Sequence, residues 1–243
     1  MEKYFNIRYE FDKAVVQERI AQKTTEQGAG YICVADANIL QQVHNNIDYR
    51  KVVDGSMFSI CDSSWVPIFV NRIYGIKHEH YCGSMIFKDI IEMKRYRQFF
   101  MGTSTEVLTA LKANLTKMDP AIDGMTFYEL PFCKVEDFDY PAIAEMVNRD
   151  NPDIIWVALG APKQEKFIKE HFEELDVTLM LGLGGSLDGY AGVAQRAPKW
   201  MIDLSLEWLY RLLKEPKRLG RMMRLPKFVL ACGGEKLRRK KNG

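Results

Sequence analysis

Six short apolar runs alternate along the chain with longer segments whose apolar residues recur at helical spacing. The runs are YICVAD from Tyr31, FSICD from Phe58, QFFMGT from Gln98, MTFYEL from Met125, IIWVALG from Ile154 and TLMLGLG from Thr178. They are nearly continuous in apolar residues, as expected of strands buried on both faces. Helices are predicted between them, among others over 12–27, 84–96, 104–117 and 162–174. In the third of these, Val107, Leu108, Leu111 and Leu115 make one apolar stripe, and Thr103 with Glu106 fits a capping box at its start. Asp119-Pro120 and Asp139-Tyr140-Pro141 read as loops. Alternating β and α elements predict an α/β fold with a Rossmann-like, mainly parallel sheet and helices on both faces. In such sheets ligands sit beyond the carboxyl ends of the strands, beside helix N-termini. Attention therefore falls on Asp36-Ala37-Asn38, Asp62-Ser63-Ser64, Gly102-Thr103-Ser104, the segment from Gly160 to Gln164, and Gly184-Gly185-Ser186.

The pattern changes near Trp200. From there the chain is helical in register, aromatic-rich and increasingly basic, with Trp200, Leu204 and Trp208 one turn apart and Arg211 a turn further on. Pro216 interrupts it, and a second basic segment follows. This divides the chain into an α/β core over 1–199 and a basic, amphipathic helical appendage over 200–243.

Composition adds one decisive feature, which is charge asymmetry. The whole chain of 243 residues carries a net charge of +2, from 34 basic and 32 acidic residues. Residues 211–243 hold twelve Lys/Arg against two Glu, a net of +10, so the remainder has 22 against 30, a net of −8. A basic tail on an acidic body suits an anionic surface or ligand. No run reaches the ~18–20 apolar residues of a membrane span, and the N-terminus lacks a basic-then-apolar signal layout. Five scattered cysteines without a CxxC pair argue for a reducing compartment and against a disulfide framework or a zinc site. His78 and His80 have a spacing that could serve a metal on a strand, but no Cys or acidic cluster accompanies them.

Asp62 follows an apolar strand and precedes a helix start. A carboxylate there can act as a general base or simply cap the helix. Asp36 and Asn38 sit similarly after YICV, where a turn and cap is the simpler role. Gly160-Ala161-Pro162 ends a strand and opens a helix, which leaves Lys163 and Gln164 beside exposed N–H groups that suit a phosphate or sugar. An ordinary strand-to-helix junction fits them as well. Asp137-Phe138-Asp139 matches a DxD metal pattern but lies away from any strand end, so a surface loop is the better reading.

The segments PDIIWVALGAPKQEKFIKEH and GLGGSLDGYAGVAQRAPKWMIDLSLEWLYRLLKEPKRLGR resemble the signature half of the WecG/TagA/CpsF glycosyltransferases. These make enterobacterial common antigen, wall teichoic acid linkage units and capsular polysaccharides. The likeness is dense over 152–224 and weaker through VADANIL, FSICDSSWVP and FFMGTS. It implies a Rossmann-like core, inversion at the anomeric carbon, no metal or other cofactor, and an appendage that holds the membrane and closes over the site. By position it makes Asp62 the base, and Asn38 and Gln164 sugar-pocket residues, with Asp36 in the same motif as Asn38. Arg211, Arg218 and Arg221 match the arginines that contact the donor diphosphate.

Three departures bear on the sugar. Asp36 stands where the family often has threonine, Ser63 where glycine is usual, and Met85 where an aspartate is common. The transferred unit is then N-acetylmannosamine, galactose, glucose or a mannosaminuronic acid.

The expected partners are a UDP-sugar, a sugar on polyprenyl diphosphate and an anionic membrane surface. The expected location is the cytoplasmic face of the cell membrane, and a homo-oligomer is compatible with this. A nucleotide-dependent oxidoreductase is disfavoured because VADANI replaces GxGxxG after the first strand. Nucleic-acid binding is disfavoured because the tail interleaves Trp, Leu and Met in helical register and the acidic core would repel phosphates.

Overall fold

The computed structural model describes residues 3–26, 28–62, 65–78, 81–171, 179–184 and 186–193, together with 175, 198, 200–201, 209–210 and 213. The appendage therefore lies almost wholly outside the described residues, as do Arg211, Arg218 and Arg221.

The chain opens with a hairpin of β1 (Lys3–Tyr4) and β2 (Ile7–Arg8), followed by α1 (Lys13–Lys23). The core then runs β3 (Tyr31–Val34), α2 (Ala37–Asn45), α3 (Ile47–Asp54), β4 (Phe58–Ile60), α4 (Trp65–Tyr74), α5 (Gly83–Met93), β5 (Gln98–Gly102) and α6 (Thr105–Leu115). It continues with β6 (Thr126–Glu129), α7 (Tyr140–Asp150), β7 (Ile154–Ala158), α8 (Lys163–His171), β8 (Leu179–Gly182) and α9 (Ser186–Tyr190). The strands β3 to β8 correspond one for one to the six apolar runs. Among the described residues they form a parallel sheet in the order β4-β3-β8-β7-β5-β6.

Both faces of the sheet are buried. Tyr31, Cys33, Phe99, Met101, Ile155, Val157 and Met180 point to one face, against α2, α3, α4, α7, α8 and the N-terminal hairpin. Their neighbours Ile32, Val34, Phe100, Trp156, Leu179 and Leu181 point to the other, against α1, α5, α6 and α9. This strict alternation within continuous apolar runs is what a doubly covered parallel sheet requires. Trp156, the largest fully buried side chain, donates its indole N–H to Gln98 Oε1 at 2.7 Å, which satisfies its one polar atom.

Two local expectations need correction. The cap of α6 is Ser104, not Thr103, and its side chain makes no capping bond to the helix. Instead Glu129 accepts from the Thr105 N–H at 2.9 Å, and the Ser104 hydroxyl holds the exposed Glu106 carboxyl below its usual range. The two Asp-Pro-containing segments are not plain loops but helix starts. Asp119 caps a 3-10 turn over Pro120–Gly124, and Asp139 accepts from Ala142 N at 3.1 Å to cap α7. Proline fits there because the first N–H groups of a helix have no internal partner. His78 belongs to the hairpin's packing: its Nε2 lies 3.1 Å from the Tyr4 hydroxyl, and its ring stacks on Phe11.

The connections leave adjacent strands in opposite directions. After β3 the chain passes to α2 on the first face, whereas after β8 it passes to α9 on the second. A crevice at the carboxyl ends of β3 and β8 follows from this divergence. Among the described residues, no helix is long and apolar enough to cross a membrane.

Candidate active site

Four neighbouring strands bring the predicted residues to one edge of the sheet. Pairing continues one residue past β3 and β4, with Ala35 N donating to Ile60 O at 2.8 Å, so Asp36 and Asp62 emerge side by side. Beyond β8 and β7, Leu183 N donates to Val157 O at 3.0 Å, which sets Gly184 beside the turn at Gly160.

Asp62 is exposed and lies over the start of α5. A Cβ on Gly83, the first residue of that helix, would be 3.4 Å from Asp62 Oδ1. The Asp62 charge also adds to the rise of the Cys82 thiol pKa, which comes mainly from burial.

Asp36 has a different job at the same level. It is half-buried, and its Oδ1 accepts from Ile39 N at 2.9 Å while its backbone oxygen accepts from Leu40 N. It therefore caps α2. Asn38 falls in the first turn of α2, and its side chain is outside what the structure describes.

Gln164 is only 4% exposed and lies across the ends of β7 and β8. Its Oε1 accepts from Gly160 N at 3.1 Å, and its Nε2 donates to Glu165 Oε1 at 2.8 Å. Two glycines make room for it. A Cβ on Gly182 would stand 2.8 Å from Gln164 Nε2, and one on Gly184, at φ +50°, 3.1 Å from its Oε1. The GLGGS run therefore serves close side-chain approach.

Glu165 went unnoticed in the sequence. It is 1% exposed, and its Oε2 accepts from the Tyr49 hydroxyl at 3.2 Å. Burial pushes its pKa up to about 7, and the Asp36 charge adds to this, while bonds from Gln164, its own N–H and Tyr49 oppose it. The Tyr49 hydroxyl is pushed up in turn, by burial first and then by Glu165. The only local signal is its place in GAPKQEK, and nothing in that run distinguishes Glu165 from a solvated helix residue.

The edge thus presents a carboxylate at a helix start, a capping carboxylate beside it, and a glycine-lined turn held by a buried amide. A family model, "Glycosyl transferase WecG/TagA/CpsF family", matches residues 4–242. The chain belongs to that family, and it is a glycosyltransferase. Among its relatives is the N-acetylglucosaminyldiphosphoundecaprenol N-acetyl-beta-D-mannosaminyltransferase of Bacillus subtilis, 32% identical over 79% of this chain and 75% of that one. Proteins of the same name from Bacillus spizizenii and Staphylococcus aureus (strain MW2) are 30% and 28% identical, over 83% and 87% of this chain. They are covered over 77% and 82% of their own lengths. In this glycosyltransferase, Asp36, Asp62 and Gln164 share one sheet edge, whereas the three arginines lie outside the described residues.

Proposed function

We propose that this glycosyltransferase moves a hexose or N-acetylhexosamine, with N-acetylmannosamine the first candidate, from a UDP-linked donor to a sugar on polyprenyl diphosphate. The product is a precursor of a surface polysaccharide. The observation that carries the reading is the placement of Asp62, exposed over the α5 N-terminus and beside the β3/β8 crevice, in a chain whose relatives are named for transfer of N-acetylmannosamine to a diphosphoundecaprenol-linked sugar.

Asp62 takes the proton of the acceptor hydroxyl as its oxygen attacks the anomeric carbon. Attack comes from the side opposite the diphosphate, so the configuration inverts. The bond from the anomeric carbon to the diphosphate oxygen breaks, and its electron pair leaves with UDP. Arg211, Arg218 and Arg221 stabilise the charge gathering on the diphosphate, as planar forks suited to phosphate oxygens. That cationic role is the one a divalent metal would otherwise fill, so the reaction needs none. The basic appendage holds the enzyme on the anionic inner face of the membrane, where the acceptor lies.

A panel of UDP-sugars, each offered with a short-chain N-acetylglucosaminyl diphospholipid and read by UDP release, tests this reading. UDP-N-acetylmannosamine is expected to give the highest kcat/KM. Release with no UDP-sugar in the panel would overturn the donor class, and release only with another UDP-hexose would move the sugar assignment to the Asp36 and Met85 departures.

A further inference from the structure

Two buried residues with no assigned role, Glu165 and Tyr49, tie α3 to the turn that follows β7. The Tyr49 hydroxyl and the Gln164 amide nitrogen both donate to Glu165, one to each carboxylate oxygen, at 3.2 and 2.8 Å. The Gln164 amide oxygen then holds Gly160 N at 3.1 Å. We infer that Glu165 is a positioning residue for the donor-sugar pocket: it fixes which way the Gln164 amide faces, and through it the shape of the Gly160 turn. This rests on the assignment of the crevice as the donor site.

The reasoning is one of donors and acceptors. An ionised carboxylate only accepts, so it can receive both bonds at once. With the amide nitrogen held by Glu165, the amide oxygen must face Gly160, whose N–H only donates. A flipped amide would set two donors against each other at Gly160 and two acceptors at Glu165. Gly182 and Gly184 flank the amide closely enough that a Cβ at either would meet it, at 2.8 and 3.1 Å. The flipped amide would leave buried donors and acceptors unpaired, which is unfavourable.

Protonation of Glu165 converts one of its oxygens to a donor and breaks one of the two pairs as they stand. The groups that set this proton's affinity come from several elements. Asp36 and Cys33 face Glu165 from β3 and its end, and Tyr49 from α3. β7 and β8 carry no titratable side chain, and Glu136 and Asp137, on the turn packed against α8, are exposed. Because burial brings the Glu165 pKa up to about 7, the arrangement loosens as pH falls through neutrality.

The Gly160 amide resonance of the full-length, unliganded protein reads this without any substrate. It is expected to shift with a midpoint near 7 in the wild type and to lose that transition in Glu165→Gln. Tyr49→Phe removes a bond that favours the charged form, so its midpoint should move upward, and this variant carries the test should Glu165→Gln fail to fold. Wild-type Gly160 that does not titrate, a transition unchanged in Glu165→Gln, or an unshifted midpoint in Tyr49→Phe would each overturn the inference. With UDP-N-acetylmannosamine as donor, Glu165→Gln should raise the donor KM and flatten its acid limb. An unchanged KM beside an altered Gly160 titration would limit Glu165 to holding the turn and overturn its role in the sugar pocket. Absence of turnover with any UDP-sugar in the wild type would instead sink the donor assignment while leaving the Gly160 titration to be judged alone.

Discussion

Asp36 and Asp62 end adjacent parallel strands in different surroundings. The Asp36 carboxylate is engaged as the cap of α2, whereas Asp62 is exposed over the start of α5. Pattern alone left both roles open for both residues, because a cap and a base ask for the same side chain at the same place. Gln164 shows a second kind of ambiguity, since its side chain faces inward to Glu165 and Gly160 across the ends of β7 and β8. Gly182→Ala tests its placement: the new Cβ would meet the amide at 2.8 Å. Overpacking of this kind costs ~1–3 kcal/mol, and a lower thermal midpoint with a raised donor KM is expected. Glu165 was illegible for a physical reason. Its helix, KQEKFIKEH, is polar in composition, and its burial depends on Tyr49, which is 116 residues away in the chain. That burial has a pH signature. The folded state holds the Glu165 proton up to about 7, against 4.5 ordinarily, so between these values the folded chain binds more protons than the unfolded one. The stability linked to Glu165 is therefore full below 4.5 and is lost as pH rises towards 7. Thermal melts across this window should show a downward slope in the wild type that is shallower in Glu165→Gln, and equal slopes would contradict it.

At the scale of elements, the six core strands were legible because both faces of the sheet are covered, which leaves nearly unbroken apolar runs. The N-terminal hairpin was not. Its strands have two residues each, and its turn places Phe5 and Asn6 at φ 52° and 64° without any glycine to announce it. Prolines misled in the other direction, since Pro120 and Pro141 open helical turns. The same correction changes the meaning of the DxD pattern, because Asp139 is the cap of α7. Asp139→Ala should then lower stability by about 1 kcal/mol in urea unfolding and leave turnover unchanged. A large loss of turnover that Mn²⁺ rescues would instead make Asp139 a metal ligand.

On the whole-molecule scale, an acidic core joins a strongly basic segment, +10 over residues 211–243. Each Lys or Arg near an anionic bilayer contributes ~1 kcal/mol, so truncation before Trp200 should release the enzyme from phosphatidylglycerol vesicles. Arg218→Ala should keep vesicle binding and still slow turnover on a soluble acceptor, because a diphosphate contact matters most in the transition state. If it loses only vesicle binding, Arg218 is a membrane contact. The sheet edge and the appendage meet in one claim, that Asp62 supplies the base and arginines supply the charge for a metal-free transfer. The most direct measurement is single-turnover UDP release from UDP-N-acetylmannosamine in excess EDTA, by the wild type and Asp62→Asn, with donor affinity measured alongside. Expected are full wild-type activity, unchanged donor affinity in the variant and a turnover roughly 10²–10⁴-fold lower. Near-wild-type turnover by a correctly folded Asp62→Asn, or loss of wild-type activity in EDTA with recovery on adding Mn²⁺, would contradict it.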